Sequence, residues 1–183
     1  MIFTPARLPG LVLIDLERHE DDRGWFARSW CAREFAAHGL DPQLAQVSLS
    51  FNRRRGTVRG FHYQRAPYAE AKLVRCVRGA LWDVAVDLRA DSPTRGEWQA
   101  FELSAANECA LYIPEGFAHG FQTLAPDTEI LYMISTYHVP EAAAGLRYDD
   151  PAFAIPWPLP VASISPRDLA WPAYSGGTEI LPA

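Results

Sequence analysis

No apolar run in this chain approaches the roughly 20 residues that a membrane-crossing helix needs. Charge, glycine or proline breaks every run, which argues against a helical membrane protein. The opening Met1-Ile2-Phe3-Thr4-Pro5 has neither the basic start nor the long apolar region of a secretory signal, so a cytoplasmic protein is expected. Cysteine is scarce. Cys31, Cys76 and Cys109 are odd in number, widely spaced and free of any CxxC pair, which leaves no basis for a disulfide framework or a zinc knuckle. Buried free thiols are their simplest reading, with Cys76 in a central strand run that could approach a site. A basic excess is missing too: 17 Lys and Arg stand against 22 Asp and Glu, and a formal charge of -5 gives no field that favours nucleic acid. The one local basic run, Arg53-Arg54-Arg55, reads as a solvated loop face, with contact to an anionic ligand as the alternative.

What the chain has is apolar and aromatic surface. With 183 residues, 49% of them apolar, it is long enough to bury a full core as one domain over residues 1–183. Six Trp, seven Tyr and nine Phe suit a β sandwich or barrel better than a helical bundle. Short strand-like segments recur at Leu11–Leu16, Val47–Phe51, Thr57–Tyr63, Lys72–Val77 and Ala80–Leu88, with Gly79 in the tight turn between the last two. Trp98–Leu103, Cys109–Ile113, Gly120–Thr123 and Glu129–Tyr137 continue the pattern. Asp21-Asp22-Arg23-Gly24 is a turn, and Trp30–His38 reads as one short helix ended by Gly39. This spacing predicts an all-β fold, most naturally a jelly roll. Eight of the 15 prolines fall from Pro140 onward, so the C-terminal tail is expected to be irregular, with at most one or two short helices.

Two histidines stand in the most informative stretches, Arg59-Gly60-Phe61-His62-Tyr63-Gln64 and Ile113-Pro114-Glu115-Gly116-Phe117-Ala118-His119-Gly120-Phe121. An imidazole can hold or release a proton near neutrality, so a histidine presented from a strand suits general base work. Strand alternation puts Arg59, Phe61 and Tyr63 in one row and Gly60, His62 and Gln64 in the other. A bulge or a neighbouring strand is therefore needed to bring Arg59 beside His62.

These stretches, with Ala71-Lys72-Leu73-Val74-Arg75, Asp83-Val84-Ala85-Val86-Asp87-Leu88-Arg89, Asp149-Asp150-Pro151 and Trp157-Pro158, occur in an order and spacing that resembles the dTDP-4-dehydrorhamnose 3,5-epimerase family of the cupin superfamily. The resemblance implies a homodimer of cupin-type jelly-roll subunits with no metal and no organic cofactor. It also implies a nucleotide diphosphate 4-keto-6-deoxyhexose as substrate, most naturally dTDP-4-dehydro-6-deoxyglucose. A ketone at C4 acidifies the hydrogens at C3 and C5, because loss of either gives an enolate with its charge on oxygen. Such a site needs a base on one face of the sugar, an acid on the other and donors at the oxygen.

By resemblance His62 is the base and Asp168 the carboxylate that fixes its tautomer, with Asp83 as the substitute for Asp168. Tyr132 corresponds to the acid that returns a proton from the opposite face, and Lys72 to a cation at the enolate oxygen. His119 corresponds to a residue facing the sugar and follows a glycine-containing turn. Arg23 and Arg59 are the expected diphosphate contacts, since a guanidinium grips phosphate through two parallel bonds. Phe26 would pack on the base or sugar. Two departures bear on selectivity: Val47-Ser48-Leu49-Ser50-Phe51-Asn52 after Gln46 replaces a start richer in amides, and His138 follows Tyr137 where many relatives have a second tyrosine. A metal-dependent cupin is disfavoured, since no HxH pair is followed by a nearby Glu. The alternatives are a single-centre epimerase or ketoisomerase using the same enolate, and a non-catalytic sugar-nucleotide binding protein.

Overall fold

The computed structural model describes residues 1–176. Thirteen strands and two short helices follow one another as β1 (Ile2–Pro5), β2 (Val12–Asp15), β3 (Arg18–Asp21), β4 (Gly24–Ala27), α1 (Ala32–Ala37), β5 (Gln46–Asn52), β6 (Val58–Gln64) and β7 (Lys72–Arg78). The order continues with β8 (Ala80–Asp87), β9 (Trp98–Ser104), β10 (Ala110–Ile113), β11 (Phe117–Thr123), β12 (Thr128–Ile134), β13 (Ala143–Gly145) and α2 (Pro166–Leu169). A six-stranded sheet, β1-β2-β10-β7-β12-β5, faces a five-stranded sheet, β13-β6-β11-β8-β9, and every pairing is antiparallel. β3 and β4 form a separate hairpin. This is the all-β jelly-roll architecture that the strand spacing predicts.

Each sheet buries one row of alternating side chains against the other. Val74 and Cys76 of β7, Leu111 and Ile113 of β10 and Ile130 of β12 meet Leu81 and Ala85 of β8 and Phe117 and Phe121 of β11. The tail seals the outer face of the five-stranded sheet, where Phe153, Trp157 and Tyr174 pack against Phe61, Val84, Val86 and Ala118. On the other outer face, Phe35 of α1 and Leu40 cover Val12, Ile14, Leu73, Ala110 and Tyr112. That cover stops short of β5, whose outward Val47, Leu49 and Phe51 are 56%, 62% and 43% exposed.

Strand ends differ from the sequence reading by a few residues, and α1 is shorter than the expected Trp30–His38. Three features have no counterpart in that reading. β1 carries Pro5, which cannot donate to a ladder; β3 and β4 are exposed or nearly so along their length and lack apolar alternation; β13 is Ala-Ala-Gly without a β-branched residue. The tail is irregular apart from α2 and an isolated bridge between Thr57 and Ser163, within the described residues; residues 177–183 lie outside them. Among the described residues no helix is long and apolar enough to cross a membrane.

Candidate active site

Between the two sheets a cavity of about 430 Å³ opens to solvent, lined by inward side chains of β5, β6, β7, β11 and β12. β6 shows how they converge. His62 pairs with His119 of β11, but Arg59 pairs with Phe121, so β6 has one residue more than β11 over this interval. That bulge moves Arg59 and His62 onto the same wall of the cavity, as the alternation argument requires. Gly60 makes it sterically feasible: its φ is +106°, and a Cβ there would stand 2.6 Å from the Cα of Gly120.

His62 is half exposed, and its Nε2 lies 2.7 Å from Asp168 Oδ1. Asp168 is 2% exposed and sits in α2, where the Ser165 hydroxyl accepts its backbone N–H at 3.0 Å. Burial pushes the Asp168 carboxyl up, but the His62 bond and charge, with the Gly60 N–H and Ser165, outweigh it and hold the group below its usual range. The carboxylate thus stays ionised and anchors the ring with Nδ1 as the nitrogen that Asp168 leaves free.

Tyr132 reaches the cavity from β12 in the facing sheet. Burial, then the charge of Asp83, raises its phenol above the ordinary value, and Arg59 offsets part of that rise. A phenol so held keeps its proton at neutral pH. Lys72 is 8% exposed, with Nζ 2.8 Å from Glu70 and 3.4 Å from the His62 carbonyl. Arg59 donates from Nε to the Asn52 amide oxygen at 2.7 Å, which fixes the guanidinium on the wall. His138 lines the rim, its backbone N–H given to Gln46 Oε1 at 2.7 Å.

His119 lies within β11, which starts right after Gly116, and is on the inward row with Phe117 and Phe121. Its carboxylate is Asp83, at 2.6 Å, so Asp83 is not a substitute for Asp168: each histidine has its own aspartate. Arg23 and Phe26 are not brought to this cavity. They stand on the β3–β4 hairpin, Arg23 paired with Asp21 at 2.6 Å and Phe26 73% exposed. Neither Cys76 nor any of Arg53, Arg54 and Arg55 lines the cavity, and Arg55 instead donates to the Leu124 carbonyl. Burial lifts the Cys76 thiol to about 11, which leaves it unreactive.

Two charged lining residues escaped the sequence reading. Glu70 partners Lys72, and Arg167, next to Asp168 on α2, faces the cavity with its guanidinium over Trp171. The adjacency of Arg167 to Asp168 was the available signal. Among the described residues no cluster of three or more His, Cys, Asp or Glu could hold a metal ion.

A family model described as dTDP-4-dehydrorhamnose 3,5-epimerase matches residues 5–175. A protein of Sinorhizobium fredii named dTDP-4-dehydrorhamnose 3,5-epimerase is 42% identical over 174 residues, covering 94% of this chain and 89% of that one. The crystal structure of the dTDP-4-dehydrorhamnose 3,5-epimerase of Elizabethkingia anophelis is similar at a TM-score of 0.92 and 35% identity, over 96% of this chain and 97% of that one. The enzyme of the same name from Bacillus anthracis, solved with TDP and PPi bound, reaches 0.91 at 35% identity, over 94% and 99% of the two chains.

Proposed function

This chain belongs to the dTDP-4-dehydrorhamnose 3,5-epimerase family, and from that premise we propose how its cavity moves protons on a sugar nucleotide. The chain is an isomerase of deoxysugar biosynthesis. It converts dTDP-4-dehydro-6-deoxyglucose to dTDP-4-dehydrorhamnose by inverting C3 and C5 without a cofactor.

The observation that carries the residue roles is His62 of one sheet, paired with Asp168 of α2, with Tyr132 on the facing sheet. His62 Nδ1 takes the hydrogen alpha to the C4 ketone, and Asp168 stabilises the imidazolium that results. The electron pair moves into the C3–C4 or C4–C5 bond and the charge onto the C4 oxygen. Tyr132 then delivers a proton to the carbon from the other side, inverting it. The tyrosinate and imidazolium exchange protons with solvent before the second centre turns over. Lys72 supports the enolate oxygen electrostatically, with Glu70 balancing its charge in the resting site.

Arg59 and Arg167 are the cavity-lining arginines, and neither is paired with a carboxylate among the described residues. They are assigned to the diphosphate. His138 at the rim is assigned to the sugar or base. Arg23 and Phe26 act in a homodimer, where the exposed hairpin reaches a second copy's cavity. The bare apolar row of Val47, Leu49 and Phe51 supports such an assembly, since an uncovered apolar strand at a sheet edge invites pairing. A cytoplasmic setting fits the three unpaired thiols.

The test is incubation of the purified protein with dTDP-4-dehydro-6-deoxyglucose in deuterated water, followed by nuclear magnetic resonance. Deuterium and inversion at both C3 and C5 are expected. Exchange at neither carbon contradicts the reading, and inversion at one carbon alone would make this a single-centre epimerase.

A further inference from the structure

Asp83 is fully buried and His119 is 5% exposed, yet the histidine forms part of the cavity wall. His119 Nε2 lies 2.6 Å from Asp83 Oδ1. The other carboxylate oxygen, Oδ2, is buried without a hydrogen-bond partner among the described residues. Around the ring stand Tyr132, edge-on at 6.0 Å between centroids, Phe121 at 6.4 Å, and His62 directly across the ladder.

A carboxylate withdrawn from water with one oxygen unsatisfied is costly unless a compensating charge lies beside it. The group in hydrogen-bond contact with Asp83 is His119, so burial favours an electroneutral pair. That pair has two proton arrangements. In the first, a carboxylate faces an imidazolium, and both ring nitrogens carry hydrogen. In the second, a carboxylic acid donates to Nε2, and the neutral ring carries its hydrogen on Nδ1. Nδ1 is therefore a donor in either arrangement.

We propose that Asp83 is a positioning residue that makes the His119 Nδ1–H a standing hydrogen-bond donor to the C4 oxygen of the substrate. The inference rests on the epimerase reading and deepens it. Loss of the C3 hydrogen and loss of the C5 hydrogen both place charge on the same oxygen, so one fixed donor serves both inversions. Lys72 alone is a weaker candidate for that task because its charge is already matched by Glu70. Fixed donors aimed at a developing oxyanion are each worth about 10²–10³ in rate.

Two measurements test it. In the parent protein, nitrogen-15 nuclear magnetic resonance of the His119 ring near neutral pH should show hydrogen on Nδ1; an unprotonated Nδ1 overturns the proposal. Asp83→Leu, which keeps the branching at Cγ, removes the carboxylate. It should lower kcat and slow deuterium exchange at C3 and C5 together by about a hundredfold, with KM and the affinity for dTDP nearly unchanged. The parent exchange rate is taken alongside, so a failed epimerase reading is told apart from a failed role for Asp83. Normal parent exchange with an unchanged Asp83→Leu variant, or exchange lost at one carbon only, overturns the role. Should the variant not fold, the resonance of the parent His119 decides alone.

Discussion

His62 and His119 face each other as direct partners in the β6–β11 ladder, and each binds a different aspartate through the same ring nitrogen, Nε2. The two pairs differ in setting. His62 is half exposed with its aspartate carried by the tail, whereas His119 and Asp83 are both sheet residues, His119 nearly buried in the cavity wall and Asp83 wholly buried behind it. A base must meet substrate and exchange protons with solvent, which suits the first pair. A donor of fixed polarity is best kept from water, which suits the second.

Arg59→Lys should weaken dTDP binding by about tenfold or more, because the point charge of lysine loses both the planar grip and the Asn52 contact. Arg167→Gln should do the same with kcat little changed. Titration calorimetry with dTDP and with thymidine separates the phosphate contribution: thymidine affinity should not move. An arginine whose replacement leaves dTDP affinity intact does not hold the diphosphate.

Acid should dissolve the His62–Asp168 anchor. The folded Asp168 carboxyl is held below its ordinary value, so its stabilising contribution is complete above the unfolded carboxylate value of about 4 and is lost as pH falls through the lower folded value. The difference in thermal midpoint between parent and Asp168→Asn should shrink as the pH falls below about 4. A difference that persists undiminished in strong acid contradicts this origin.

Leu49→Glu places a charge in the bare row of β5, whose side chain there is 62% exposed. The subunit should stay folded, since an exposed site tolerates charge to within about 0.5 kcal/mol. Sedimentation at micromolar concentration should find the parent as a dimer and the variant as a monomer. A monomeric parent removes the assembly and with it the tasks given to Arg23 and Phe26.

Much of this fold is legible in the sequence because the strands that build the cavity are apolar, β-branched and punctuated by glycine. The strands that carry His62, Lys72 and Tyr132 follow from the sequence pattern, whereas the start of β11 ahead of His119 and the bulge at Gly60 need the three-dimensional partner strand to be seen. The hairpin from Arg18 to Ala27 is opaque for the opposite reason: it is almost wholly exposed, so no burial pattern marks it. Long-range pairing is likewise hidden. That Asp168 reaches His62 across 106 residues depends on how the tail lies over the five-stranded sheet, and that Asp83 reaches His119 across 36 depends on the pairing of β8 with β11; no local pattern encodes either.

Solvent exchange, followed carbon by carbon in the two proton-transfer variants, tests the account most directly. His62→Ala removes the proposed acceptor of the alpha hydrogen, and Tyr132→Phe keeps the ring while deleting the hydroxyl proposed to return it. Each is incubated with dTDP-4-dehydro-6-deoxyglucose in deuterated water, after folding and dTDP binding have been verified, and C3 and C5 are read separately. His62→Ala should lose exchange at both carbons by about 10²–10⁴, and Tyr132→Phe should still exchange hydrogen while inversion falls much further. Parent-rate exchange in His62→Ala, or parent-rate inversion of both centres in Tyr132→Phe, would contradict the assignment of base and acid.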